Sequence, residues 1–425
     1  MRSTGETVER VLFPTANRAA ERGFDFGKSA TPLPPLRPNA QLGVLDITEW
    51  FGETSGGVRT YLMQKAAYVE QRPELRQILV VPGDDDVVTH SAGVRCYRLR
   101  GPQIPTQKPY RFMLATRSIR RIIESERPSV VEVGSCFSVP WISTRAARRA
   151  AVPVVGFFHG NLPRTICPFP DRASTPARLA YNAAWRYMRA VYAPFSVTIC
   201  ASEFTATDLR EHGVERVARV PLGVDLDHFN MGRKAETLAT RERAGLPTDV
   251  PLAAFVGRFA REKEIDVLLR AWPEIERRTD ACLVLVGDGP QRGMVDALAQ
   301  RCARIYCMPY ERDRGRLADL LASVDLLISP GSTETFGLSA LEAMASGTPV
   351  LSADRGGVAE LIGGSGAGMT FVAGDGVSLG EVAIQALRRD DLHCLGLLGR
   401  AYAEREHAWS RTFDRLFAVY RDLAA

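Results

Sequence analysis

A chain of 425 residues, 45% hydrophobic and 24% charged, has material for two or three cored domains and is not globally disordered. Its 54 Lys+Arg against 49 Asp+Glu leave a net charge of +5, which excludes a dedicated nucleic-acid coat, and no nucleic-acid partner is expected. No apolar run reaches the ~18 residues that span a bilayer, the first residues lack a signal-peptide core, and the eight cysteines form no Cys-x-x-Cys pair, so a reducing, cytoplasmic location is the expectation.

Residues 1–40 show no sustained period; one short apolar run, Val11, Leu12 and Phe13, is interrupted by Pro14, and four prolines fall between Pro32 and Pro38. Proline removes backbone donors and favours extended chain, so a proline-rich extension that is mobile or lies along the surface, outside the core, is expected. From residue 41, short β-branched runs alternate with longer amphipathic stretches, the pattern of a parallel sheet covered by helices. Strands are expected at 42–47, 77–81, 94–99, 129–133, 153–158 and 197–200. The rhythm restarts after a charge-dense stretch at 230–247, with strands at 252–256, 282–286, 304–308, 326–329, 350–352 and 369–372. The expected fold class is α/β: two doubly wound domains, 41–229 and 230–410, with ligands at the carboxyl ends of the strands in the cleft between them.

One stretch departs from the even charge balance. Between residues 101 and 200, fourteen basic residues accompany four acidic ones, a local net of +10. Such a basic half suits peripheral contact with an anionic membrane, or it is a set of solvated helix faces. Within it, 178–195 mixes Leu179, Trp185, Tyr187, Met188, Val191 and Tyr192 with Arg178, Arg186 and Arg189, which fits either a membrane interface or an ordinary packed helix.

Several motifs fall at strand ends. Gly56 and Gly57 follow the first strand, in a loop with Glu53, Thr54 and Ser55, and permit a ligand close to the backbone, as would a plain turn. His159 ends the fifth strand, where an imidazole can donate to a substrate hydroxyl or phosphate, or can simply pack. Gly257 and Arg258 follow the first strand of the second half and Lys263 comes five residues later, offering two cations to a diphosphate or two exposed charges to solvent. Gly287, Asp288, Gly289 and Gly293 give G-x-G-x-x-x-G, one residue too long for a dinucleotide fingerprint; a tight turn beside a bound nucleotide is the better reading. The strongest signal is 329–350, where a strand, a small polar loop and a short helix succeed one another. Backbone N–H groups at that helix start can hold a phosphate, and Gly337 allows close approach. Glu342, in the second turn, can accept from vicinal ribose hydroxyls, and Glu334 lies in the loop itself.

Together these stretches resemble the retaining glycosyltransferases of family 4, with the GT-B fold, over most of the chain from about Leu42. Glu334 to Glu342 matches the family's E-x7-E motif, and 337–350 continues as G-L-x-x-x-E-A-M-A-x-G-x-P-V. The resemblance implies transfer of a hexose from a nucleotide sugar with retention of configuration, requiring neither cofactor nor metal ion. It implies Glu342 on the donor ribose, Glu334 near the transferred sugar, and the backbone of Phe336, Gly337 and Leu338 on phosphate. Arg258 and Lys263 would neutralise the departing diphosphate, Gly56 and Gly57 would cover the donor, His159 would contact the sugar, and Gly257, Asp288 and Gly289 would complete the donor site. A C-terminal helix, 411–425, would cross back to the first domain. The run from Asp46 to Trp50 through Gly56 to Tyr61 looks like mannosyltransferase-type relatives, hence GDP-mannose as donor with a lipid-linked or saccharide acceptor. A UDP-sugar hexosyltransferase, a GT-B sugar-nucleotide epimerase and a catalytically silent nucleotide-sugar-binding subunit stay open beside it. Two departures stand out: Glu264 replaces the glycine that often follows the lysine, and Leu222 replaces the asparagine of a common Asn-Gly-Val-Asp.

Overall fold

The computed structural model describes residues 4–13, 21–22, 33, 36–52, 56–105 and 109–425. The loop 53–55 and Pro32, Pro34 and Pro35 lie outside the described residues. Strands β1 (Glu21–Arg22), β2 (Leu42–Ile47), β3 (Leu75–Gly83), β4 (Val87–His90), β5 (Val94–Arg100), β6 (Val130–Val133), β7 (Val154–Phe157), β8 (Val197–Cys200) and β9 (Val217–Arg219) form the first sheet, ordered β1-β4-β5-β3-β2-β6-β7-β8-β9. The second contains β10 (Leu252–Val256), β11 (Cys282–Val286), β12 (Ile305–Met308), β13 (Leu326–Ser329), β14 (Val350–Ala353) and β15 (Gly368–Phe371), ordered β12-β11-β10-β13-β14-β15 and parallel throughout. Every residue of β2 and of β11 is buried, because helices cover both faces of a parallel sheet and leave no polar side to show in the sequence.

In both sheets the strand order reverses beside the first strand of the doubly wound unit, between β2 and β6 and between β10 and β13. A crevice opens at such a reversal, at the carboxyl ends of the strands. The loops after β10 and β13 carry Gly257 to Glu264 and Pro330 to Gly337, which is why residues about seventy positions apart meet.

Every expected strand is present within a few residues of its expected bounds, but the first sheet is mixed: β4 pairs antiparallel with β5, and β1 with β4. The N-terminal expectation needs correction. Residues Thr4–Leu12 form a helix whose Val8 and Leu12, one turn apart, are buried in the core. Glu9 pairs with Arg59 at 2.5 Å, and Phe13 stacks on Phe51 with centroids 5.1 Å apart. Further on, the Arg37 guanidinium donates to the carbonyls of Val69, Glu70, Arg72, Leu75 and Ala92. The described part of this segment is therefore docked. A single apolar spacing of four was too short a signal to mark it as a helix.

The aromatic helix Thr175–Tyr192 is a packed element: Tyr181, Trp185, Met188, Val191 and Tyr192 are buried in the first domain's core. The last helix, Trp409–Ala424, lies on the helix Gly57–Glu70, with the Tyr68 hydroxyl donating to Asp414 at 2.5 Å and Phe417 stacked on Tyr68. Among the described residues no helix is long and apolar enough to cross a membrane.

Candidate functional site

After β10 the backbone runs through Gly257 and Arg258 into a single 3-10 turn, Arg261–Lys263. The close approach of the neighbouring loop needs glycine: a Cβ at Gly287 would lie 2.0 Å from the Gly257 carbonyl oxygen, and one at Gly289 would lie 2.5 Å from that of Phe259. Asp288 is exposed, and its carboxylate caps its own turn by accepting from the Gly289 N–H at 2.8 Å. The 287–289 turn thus buttresses the 257–259 loop. Arg258 stands at the front of that loop, 3.9 Å from Glu262.

Lys263 reaches across to the loop after β13 and pairs with Glu334. Burial by itself lowers the pKa of this ammonium, but the charge and hydrogen bond of Glu334 more than reverse that, so the cation is reinforced. Glu264, the residue in place of glycine, has φ +48°. That left-handed conformation explains why glycine is common there and costs a glutamate about 1 kcal/mol. Its side chain is buried and accepts from the Ser332 N–H at 3.1 Å and from the Ser332 hydroxyl. A carboxylate thereby ties the Lys263 turn to the Glu334 loop.

Gly337 begins the helix Leu338–Ala345 with φ +98°, and a Cβ there would be 2.3 Å from Val358 Cγ2. No side chain caps this helix, so the N–H groups of its first turn remain available to an anion. One turn in, buried Glu342 accepts from Arg314 Nη2 at 2.6 Å, and the Arg314 guanidinium lies over the Phe229 ring at 4.7 Å. Both acids of the motif are therefore held by cations. Lys263 was singled out from the sequence; Arg314 was not, because a lone arginine at a helix start carries no distinguishing signal.

The first domain closes on this loop. The Thr335 hydroxyl donates to the His159 carbonyl at 3.0 Å, and a Cβ at Gly57 would come within 3.2 Å of Leu338 Cδ1. Gly56 begins the helix Gly57–Glu70. The His159 imidazole stacks flat on Phe157 at 4.1 Å and tilts against Tyr61 at 5.2 Å. Burial, with the nearby Lys65 charge, pushes its pKa down to about 3, so the ring is neutral, with one N–H to donate and no charge.

Beneath His159 lies a buried network that the sequence reading passed over. Lys65 Nζ is 2.6 Å from Asp46, 3.5 Å from Glu132 and 2.8 Å from the Tyr420 hydroxyl. The Tyr61 hydroxyl donates to Glu132 at 3.0 Å, Tyr420 also bonds Glu132, and Gln77 donates to Asp46 at 2.6 Å. Burial raises the Glu132 carboxyl to about 7, with Lys65 opposing and Asp46 adding to the rise. A lysine on an apolar helix face and a glutamate inside the run Val130-Val131-Glu132-Val133 were its two visible signs.

Residues 55–228 match the family described as "Glycosyltransferase Family 4", and residues 250–389 match that described as "Glycosyl transferases group 1". A GDP-mannose-dependent alpha-(1-6)-phosphatidylinositol dimannoside mannosyltransferase of Mycobacterium tuberculosis is 30% identical over 322 residues, 75% of this chain and 81% of that protein. The chain belongs to glycosyltransferase family 4. This transferase is also 32% identical to a D-inositol 3-phosphate glycosyltransferase of Nocardiopsis dassonvillei, over 67% of this chain and 69% of the relative. Its GT-B fold is that of sucrose-phosphate synthase from Thermosynechococcus elongatus, with a TM-score of 0.69 at 20% identity, covering 90% of the transferase and 99% of the synthase.

Proposed function

We propose that this glycosyltransferase moves mannose from GDP-mannose to a lipid-linked or saccharide acceptor with retention of anomeric configuration. The observation that carries the reading is the convergence of Lys263, Glu334 and the Gly337 helix start at the β10/β13 reversal, joined to His159 through Thr335. The relatives' names add the mannosyl donor and a glycolipid acceptor.

The donor diphosphate lies between Arg258, Lys263 and the first-turn N–H groups from Gly337 and Leu338, with Phe336 behind them; Gly257, Asp288 and Gly289 shape the loop on its far side. Its ribose hydroxyls donate to Glu342, which Arg314 holds in place. Gly56 and Gly57 cover the donor, and neutral His159 donates to a sugar hydroxyl. As the bond from the anomeric carbon to the diphosphate oxygen breaks, the acceptor hydroxyl attacks the same face and passes its proton to that departing oxygen. Negative charge builds on the diphosphate, where fixed cations and helix N–H groups stabilise it more than in the ground state. Glu334, paired with Lys263, faces the sugar as positive charge develops at its anomeric carbon. Closure of the two domains excludes water and so favours transfer over hydrolysis.

Calorimetry with GDP and UDP, followed by product analysis with GDP-mannose, tests this. GDP should bind, Glu342→Ala should weaken it by about 1–3 kcal/mol as a charged hydrogen-bond acceptor is lost, and the new linkage should be α. Tight binding of UDP alone replaces the donor, epimerised sugar nucleotide without transfer makes the protein an epimerase, and binding without turnover makes it a silent subunit.

A further inference from the structure

The helix start that covers the donor is held by a residue of the N-terminal helix, which precedes the stretch matching the family. Arg59 stands in the first turn of the helix Gly57–Glu70, which has neither a side-chain cap nor an acid of its own there. The positive end of a helix disfavours a cation in that turn, and a carboxylate from elsewhere offsets this. Glu9 supplies it: its Oε1 accepts from Arg59 Nε at 2.8 Å and lies 2.5 Å from Nη2. Arg59 Nη1 donates to the Gly52 carbonyl at 3.0 Å, and the guanidinium lies over the Phe13 and Phe51 rings at 5.3 and 5.0 Å. The arginine side chain is only 17% exposed, so salt screens the pair less than it would one in open solvent. One guanidinium thus ties together the N-terminal helix, the chain leaving β2 at Phe51 and Gly52, and the start of the helix Gly57–Glu70.

Glu9 is presented from anchored backbone. Val8 and Leu12 flank it in the core, and the Thr89 hydroxyl of β4 donates to the Leu12 carbonyl at 2.7 Å. On the other side of Arg59 stands the second domain. Gly57, two residues before the arginine, is so near Leu338 at the start of the phosphate-binding helix that a Cβ on it would touch that side chain. Tyr310, just after β12, senses the same pair. Burial raises its phenol, with Arg314 and Arg59 opposing and Glu342 and Glu9 adding to the rise. Glu9 and Arg59 therefore lie within electrostatic reach of the Glu342 end of the cleft, where the ribose is proposed to bind.

We infer that Glu9 is a positioning residue of the donor site: by holding Arg59 it sets Gly56 and Gly57 at the distance from Leu338 at which they cover a bound nucleoside diphosphate. Preorganisation of this kind lowers the cost of binding, because the helix start is already ordered when the ligand arrives. The inference rests on the proposed donor site and adds to it the helix Thr4–Leu12, which the sequence reading had placed outside the core.

Calorimetry on the full chain tests it, with GDP or UDP, whichever the wild type binds. Glu9→Ala should raise Kd about fivefold, as for one partly shielded ion pair, and Glu9→Gln, which keeps an acceptor oxygen, about twofold. Arg59→Ala should raise it about tenfold, because the bond to Gly52 is lost as well. In the Arg59→Ala background, Glu9→Ala should add nothing, since the glutamate acts through the arginine. Tyr97→Phe, which removes a buried hydroxyl bonded to Glu126 in the same domain, should lower Tm without changing Kd, whereas Glu9→Ala should change Kd with Tm within a few degrees of wild type. A wild type that binds while Glu9→Ala binds equally well overturns this inference alone. So do independent, additive effects of the Glu9 and Arg59 substitutions, or an equal rise in Kd with Tyr97→Phe. A wild type that binds neither nucleotide overturns the donor reading, and this inference with it.

Discussion

The two halves of the cleft use charge in opposite ways. In the second domain, Lys263 with Glu334 and Arg314 with Glu342 pair across loops, with the two cations about 30% exposed. In the first domain, Lys65, Asp46 and Glu132 pair in full burial, and Tyr420 from the far end of the chain completes the set. A half-solvated pair can exchange its partner for a phosphate at small cost, whereas a buried ion deprived of its partner has nothing to replace it. The first arrangement suits ligand chemistry; the second locks the Gly57–Glu70 helix, the last helix and the floor under His159 into one geometry.

Removing one member from each set should separate these roles. Lys65→Met leaves two buried carboxylates unopposed and should cost about 3–5 kcal/mol of stability, read in urea melts, while donor affinity in the surviving folded fraction changes little. Lys263→Ala should do the reverse: kcat falls by about 10²–10³, as when one transition-state charge contact is lost, with Tm within a few degrees of wild type. If Lys263→Ala proves the more destabilising of the two, the contrast between the halves fails.

Smaller effects sharpen the same contrast. Glu264→Gly relieves the left-handed strain but frees the Ser332 N–H and hydroxyl, so a net loss of about 1 kcal/mol and a several-fold higher donor KM are expected. Glu264→Gln, which keeps one acceptor, should recover most of the KM change. Glu132 yields a pH signature. Its folded pKa of about 7 lies above the ordinary 4.5, so its contribution to stability is fullest below pH 4.5 and is lost as pH rises through 7. Glu132→Gln should flatten that part of the stability profile, measured by denaturation between pH 5 and 8. His159, already neutral across that range, should contribute no inflection to the rate profile.

Much of this was visible before folding. Six of the nine strands of the first sheet and all six of the second were legible because helix-covered parallel strands are largely apolar runs, and the 329–350 strand, loop and helix were legible because they lie within one short segment. Three features were not. The helix Thr4–Leu12 shows its period only in Val8 and Leu12. The β4 hairpin strand is four residues long and mixed in polarity. Glu264 looked like a departure in the loop until its φ and its bond to Ser332 showed that it keeps the glycine's conformation and adds a clamp.

The sequence by itself determined the doubly wound α/β class, the E-x7-E loop and the family, since each rests on local periodicity or on contiguous residues. Only the tertiary structure decided that Arg314 holds Glu342, that Tyr420 meets Lys65 and Glu132, and that the aromatic helix is buried. These contacts join residues separated by tens to hundreds of positions, and burial in such a network depends on how helices dock, which no local pattern of side chains specifies.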